Sequence, residues 1–348
     1  MKVAIITDQH FGARKSSRVF HEFFLKFYNK VFFPTLKKEK ITTVFDLGDT
    51  FDNRRQIDLW AAKWARENYY DRLRDMNVEV HAVVGNHTAY FKDTNSINTL
   101  DNLLGEYKNV HTYSEATEVT IGGLPILFIP WINNENSETT YKLIEGTDCD
   151  YAMGHLELNG FEAHRGYLME HGAESKRYKK FTKVLSGHYH HRSSRGNIHY
   201  LGNPYQIYWN DYRDTRGFHI FDTETGDLKF IKNPFEIYEK IYYDETKLNS
   251  STFDYAQYNN TIVKIVVEKK TDSHKFDFFL SQLYAAGVHE VKVIEDPSFE
   301  SDLEEEIDIE SEDTLTLLER YVDDLGHEDK PGVKTILKSL YVEALELV

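Results

Sequence analysis

Five times before residue 191, an apolar stretch of strand length runs into a short cluster of aspartate, asparagine or histidine beside a glycine. The clusters are Asp8-Gln9-His10 with Gly12, Gly48-Asp49, Gly85-Asn86-His87, Gly154-His155 and Gly187-His188-Tyr189-His190. Residues separated by one position at a strand end project to the same side, so an Asp-x-His pair can grip one cation. In open α/β sheets the carboxyl edge of the strands is where ligands bind. A chain with this repeat must gather its strand ends on one rim, and it reads as an α/β layered fold.

The segments between the clusters agree with that reading. Strands are predicted at residues 3–6, 43–46, 80–84, 126–129, 151–153 and 183–185, with helices over 17–38 and 58–76. A hairpin joins strands at 218–221 and 228–231 through the turn-rich residues 223–227. The division is a large domain over residues 1–232, a small α+β capping unit over 233–298, an acidic linker over 299–313 and a helical segment over 314–348. A chain of 348 residues exceeds what one core usually serves. The linker carries eight acids and no base between residues 302 and 313, and most of the net charge of -16 sits from Ser301 onward. Leu315, Leu318, Val322 and Leu325, then Val333, Ile336, Leu337, Leu340 and Ala344, place apolar stripes on two terminal helices. The single cysteine, Cys149, excludes an internal disulfide, and neither a signal peptide nor an apolar run of membrane-spanning length is expected. A cytoplasmic protein is the expectation, without a membrane partner.

Asp8, His10, Asp49, Asn86, His155, His188 and His190 make seven candidate ligands, too many for one catalytic metal and suited to two. A mixture of carboxylate, amide and imidazole fits manganese, iron or zinc better than calcium, which prefers oxygen cages. A shared Asp49 would hold two ions roughly 3.5 to 4 Å apart, as in two-metal hydrolases. A strand-end aspartate or a lone histidine is more often structural. The ordered set is not so easily dismissed.

With DQHFG, GDTFD, GNH, GHLELNG and GHYH, the sequence resembles the calcineurin-like metallophosphoesterases. Within them it looks most like the SbcD-type nucleases of the meiotic-recombination-11 family, the phage recombination endonuclease subunits above all. The resemblance implies a four-layer α/β/β/α sandwich with a small capping domain and a C-terminal helical pair. It also implies two divalent ions, manganese with magnesium as the alternative. Asp8, His10, Asp49 and His190 would hold the first, and Asp49, Asn86, His155 and His188 the second. His87 would be the catalytic imidazole, protonating the leaving oxygen or stabilising charge on the phosphate. The implied activity is exo- and endonucleolytic cleavage of DNA in break processing and recombination. The implied partners are DNA, an SMC-like ATPase of the SbcC type gripped by the C-terminal helices, and a second copy of the chain.

The sequence departs from the family in one place: Thr88 follows His87 where an aspartate is common. Asp52 could replace it by accepting a hydrogen bond from His87, which would favour the protonated imidazole, or it could be a turn cap. For DNA, the cations just beyond the metal motifs are candidates: Arg14, Lys15, Arg18, Arg54, Arg55, Arg192 and Arg195. Lys176, Arg177, Lys179 and Lys180 are denser but read as a solvated face. Trp131, Tyr205, Tyr208 and Trp209 could line the cleft or belong to the core. Two other functions are compatible with the same cage: a phosphatase or nucleotide phosphodiesterase, and a non-catalytic scaffold for the ATPase.

Overall fold

Alternation along the strands decides the architecture. In Lys2–Ile6, Val3 and Ile5 enter one apolar cluster while Ala4 and Ile6 enter another. Val44 and Phe45 divide the same way, as do Leu127 with Ile129 against Ile126 with Phe128, and Val184 against Leu185. Period-two burial on both faces requires a layer on each side of every sheet. The computed structural model has that arrangement and describes residues 1–295 together with Val322, Lys330, Gly332, Val333, Lys334, Ile336 and Leu337.

One sheet runs Leu228–Lys232, Gly217–Asp222, Lys2–Ile6, Thr43–Asp46, Glu79–Val83, Val110–Tyr113; the last four strands are parallel. The second runs Ser193–Arg195, Ile198–Tyr200, Lys183–Gly187, Tyr151–His155, Leu124–Ile129, Thr117–Ile121, again with a parallel centre. Val3, Ile5, Phe45 and Val83 of the first meet Ile126, Phe128, Met153 and Leu185 of the second. Helices cover the outer faces: residues 18–39 and 59–75 on the first sheet, Ser137–Gly146 on the second. The α/β/β/α layering expected from the sequence is the one observed.

Aromatic packing dominates the first outer layer. Phe24, Phe27, Tyr28, Phe32 and Tyr69 are fully buried there, each contributing roughly 1.5–3 kcal/mol from burial alone. Both long helices widen for one turn, at Tyr28–Phe32 and Arg66–Tyr70. Wide turns of this kind often mark functional sites. The first seats the Tyr28 hydroxyl 2.5 Å from Gln9 Oε1, between the candidate ligands Asp8 and His10.

Residues 1–297 form one compact unit, Met1–Pro297. After residue 233 the chain adds a parallel three-stranded sheet, Tyr238–Asp244, Ile262–Lys269 and Glu290–Ile294, with helix Ser273–Ala285. Its core is its own: Ile241, Val263, Ile265, Phe276, Phe279 and Leu283. Ile237, Tyr238 and Ile262 join the large aromatic core instead. The expected acidic linker and most of the two helices expected at the C-terminus lie outside the described residues; in the second unit, Ser298–Val348, the described residues are helical. No described helix is long and apolar enough to cross a membrane.

Candidate metal centre

Strand register puts the ligand-type residues at one level. Ile6 pairs with Asp46 and Asp46 with Ala82, so Asp8, Asp49 and Asn86 emerge side by side. On the other sheet Gly187 pairs with His155, which aligns His155 with His188 and His190. Asp8, His10, Asp49 and His188 all have positive φ, at 52°, 47°, 50° and 87°. Such conformations cost of order 1–3 kcal/mol each and persist where the surroundings over-determine them, often at functional sites. Here the main-chain bonds Asp8 N to Gly48 O and His10 N to Asp49 O lock the two loops together. Gly48 itself has φ +100°, and a Cβ there would sit 2.3 Å from His155 Nδ1.

Three groups of ligand-type atoms converge among the described residues: one of Asp8, His10 and His190, one of Asp49, His155 and His188, and one of His10, Asp52 and His87 that shares His10 with the first. In the first, Asp8, His10 and His190 converge, with His10 Nε2 3.0 Å from His190 Nε2. In the second, His155 Nε2 lies 3.0 Å from Asp49 Oδ2 and 2.9 Å from Asn86 Oδ1, and His188 Nδ1 lies 3.0 Å from the same Asn86 oxygen. The far nitrogens of two imidazoles are already held: His10 Nδ1 is 3.0 Å from Asp52 Oδ1, and His155 Nδ1 donates to Leu47 O at 2.8 Å. Their Nε2 atoms therefore turn lone pairs inward. Lone pairs facing each other at 3 Å repel unless a proton or a cation lies between them, and anchored imidazoles of this kind are the usual setting of metal-ligating histidine.

The electrostatics agree. Burial, then neighbouring imidazoles, push His188 and His190 well below the usual histidine range, which leaves both neutral and able to coordinate. Burial works against charge on Asp49, but His155 and His87 outweigh it and hold this carboxyl well below its ordinary value. Asp8 moves the other way, raised chiefly by burial. Burial lowers His10 and His155, yet Asp52 on the one and Asp49 on the other bring each above the ordinary value. The neutral His188 and His190 beside the ionised Asp49 suit a divalent cation, which would take the place of any proton on His10 and His155.

His87 stands against the first group, its ring 4.8 Å from that of His10 and edge-on. Its main-chain N–H donates to Asp49 Oδ1 at 2.8 Å. The Asp52 carboxylate does not reach His87 as the sequence suggests: it goes to His10, and His87 Nδ1 instead lies 2.6 Å from the main-chain carbonyl of Asp52. The reason is local, since Asp52 N bonds to Phe11 O and fixes the loop with its side chain toward the first motif. Thr88 is turned into its own loop, donating to Gly85 O and accepting from Gly85 N.

The candidate DNA-binding cations separate into two sets. Lys15 lines a hollow of about 460 Å³ with Phe11, Gly12, Asp52, Asn53 and Gln56, next to the first group. Arg14 lies over the rings of Phe20 and Tyr208, Arg18 over Trp60, and Arg54 and Arg55 follow on the loop after Asp52. Arg192 instead covers Phe230 on the first sheet, and Arg195 reaches Gly160 O from the edge strand. Arg177 and Lys176 are taken up by Glu145 and Glu174. Tyr205 and Trp209 are core, whereas Trp131 packs against His188 and Tyr208 lies parallel to His190.

Sequence reasoning missed a polar layer beneath the ligands. Asp46 Oδ2 accepts from Gln9 Nε2 and Thr50 Oγ1, and burial pushes this carboxyl up to about 7 against those bonds. The signal was present in the Asp46-Leu47-Gly48-Asp49 pair of acids, of which only the second reaches the rim.

The model of the calcineurin-like phosphoesterase family matches residues 1–192. Exonuclease subunit 1 of Enterobacteria phage T4 is 33% identical over 316 residues, spanning 89% of this chain and 90% of that protein. Among solved structures, an archaeal phosphodiesterase is 15% identical, with 67% of this chain and 100% of that one covered at a TM-score of 0.34. A dimetal phosphatase from Danio rerio is 12% identical, covering 68% and 97% at a TM-score of 0.39. Likeness at that level adds nothing to the reading of the site.

Proposed function

The chain belongs to the calcineurin-like phosphoesterases, and from that premise we propose that it is a two-metal nuclease that hydrolyses DNA phosphodiester bonds. The observation that carries the reading is the pair of converging ligand groups, Asp8, His10 and His190 beside Asp49, His155 and His188, with Asn86 joining the second. Asp49 Oδ2 faces His155 while Asp49 Oδ1 takes the His87 amide, which suits it to the boundary between two ions. Divalent ions held there supply Lewis acidity toward the phosphate and activation of water at neutral pH. Manganese is the proposed ion and magnesium the alternative.

The chain's own residues do the rest. His87, set by the Asp52 carbonyl and the Asp49 carboxylate, is placed to give a proton to the departing sugar oxygen. Asp52 orients two imidazoles at once, His10 by its carboxylate and His87 by its carbonyl. Lys15, Arg14, Arg18, Arg54 and Arg55 offer positive charge to the phosphates that flank the cut. Arg192 and Arg195, turned to the sheet edge, are assigned to a more distant stretch of the strand.

The relative's description as one subunit of an exonuclease supports a partner. We assign that role to an SMC-like ATPase docked on the helical segment of residues 314–348, with residues 233–298 capping the DNA and two copies of the chain in the complex. A chain lacking residues 310–348 should lose the ATPase on copurification, and undiminished affinity would rule the docking out. The catalytic reading is tested by metal-dependent cleavage of single- and double-stranded DNA beside nitrophenyl phosphate esters. Turnover of the esters alone would favour a phosphatase or nucleotide phosphodiesterase, and inactivity toward both would favour a scaffold.

A further inference from the structure

Behind His190 lies an ion cluster that the chemistry above does not use. Arg216 is 4% exposed, and both terminal nitrogens of its fork are engaged. Nη1 donates to the main-chain carbonyl of His190 and to Asn203 Oδ1; Nη2 donates to Asp211 Oδ1 at 2.6 Å and Asp214 Oδ2 at 2.9 Å. Asn203 N adds a second bond to the His190 carbonyl. The next residue is held as well, since His191 Nδ1 lies 2.7 Å from Asp214 Oδ2. Asp211 Oδ2 accepts the main-chain N–H groups of Ile207 and Tyr208, and the Tyr208 ring lies parallel to that of His190 at 6.2 Å. One guanidinium thus ties together the loop carrying His190, the turn carrying Tyr208 and the entrance to strand Gly217–Asp222.

We propose that Arg216 is a positioning residue for one half of the metal centre: it fixes His190, and with it the affinity of the first metal, without acting on the second. The inference rests on the two-metal reading. Its physical basis is that groups orienting a ligand are often worth as much as a ligand, roughly 10- to 100-fold in metal affinity. The second group is oriented by bonds that do not involve Arg216: His155 Nδ1 is held by the Leu47 carbonyl, and the main-chain N–H of His188 donates to Asp8. A lysine cannot replace the planar fork, because one ammonium cannot serve both pairs of acceptors in their places.

The test is manganese titration of the metal-stripped full chain, followed by calorimetry and by the electron paramagnetic resonance of free, isolated and coupled manganese. The unaltered chain should take two ions and develop a coupled signal. Arg216→Lys should keep one site at its original affinity and weaken the other 10- to 100-fold, delaying the coupled signal by the same factor. A merely structural role would lower Tm and leave the ratio of the two affinities unchanged, and that result overturns the proposal. Should Arg216→Lys fail to fold, Asp214→Asn, which disturbs both Arg216 and His191, must split the sites in the same direction. If the unaltered chain never binds a second ion, the two-metal reading falls and takes this inference with it. If it binds two and neither variant splits them, only the inference falls.

Discussion

Replacing Gly48 with alanine should disable the second metal group from a position that holds no ligand. Two separate costs can be worked out. The backbone there has φ +100°, where a Cβ costs roughly 1–2 kcal/mol. The added carbon would also stand 2.3 Å from His155 Nδ1 and 2.7 Å from its Cγ. To restore an ordinary contact of about 3.5 Å the ring must retreat by roughly 1 Å. That retreat breaks the 2.8 Å bond to Leu47 O and leaves a buried group unsatisfied, costing about 1–3 kcal/mol. A total near 3 kcal/mol lowers Tm by roughly 5 °C for a unit of this size, Met1–Pro297. The control is Gly166→Ala, where φ is +81° and nothing lies within 4 Å of the new carbon, so that only the backbone cost applies. Thermal unfolding and manganese calorimetry on both variants isolate the clash. The reasoning fails if Gly48→Ala is no less stable than Gly166→Ala, or if it binds the second ion with unaltered affinity.

His87→Ala should retain both metals while kcat on DNA falls by about 10²- to 10⁴-fold; loss of a metal in elemental analysis would contradict its separation from the ligand set. Lys15→Gln and Arg55→Gln should each flatten the dependence of log K on log salt by roughly 0.7–0.9 in fluorescence-polarisation binding to DNA, and an unchanged slope removes that residue from the phosphate contacts. His219, buried in strand Gly217–Asp222, is pushed down to about 3 by burial and then by Arg192. It is neutral in the fold but takes a proton in the unfolded chain below its ordinary value of 6.5, so stability is lost as pH falls from 6.5 toward 3. The slope approaches about 1.4 kcal/mol per pH unit. His219→Gln should flatten urea midpoints across that window, and an equal slope in the variant would refute the assignment.

Much of this centre was legible because parallel strands end together. Once Asp8, Asp49 and Asn86 are placed at strand ends, register alone brings them side by side. What could not be read is what depends on the loop path. Nothing in the Asp49-Thr50-Phe51-Asp52 string says that the Asp52 carboxylate will take His10 and leave only a carbonyl for His87. The division among the aromatics was equally hidden: Tyr205 and Tyr208 are three residues apart, and a short turn sends one into the core and the other to His190. Arg216, Asp211 and Asp214 carry no motif, since an arginine near two aspartates usually belongs to a wet surface. The helical segment at the C-terminus falls mostly outside the described residues.

Neither half of the sandwich carries a complete cage. The proposed first ion draws Asp8, His10 and Asp49 from one sheet and His190 from the other; the second draws Asp49 and Asn86 from one, His155 and His188 from the other. The ions would therefore clasp the open end of the two sheets. A nascent chain is 188 residues long before the second set is complete and 190 before the first is, and until then no fragment carries all the ligands of either ion. On the proposed reading, the power to cut would arrive only after both sheets have contributed their ligands.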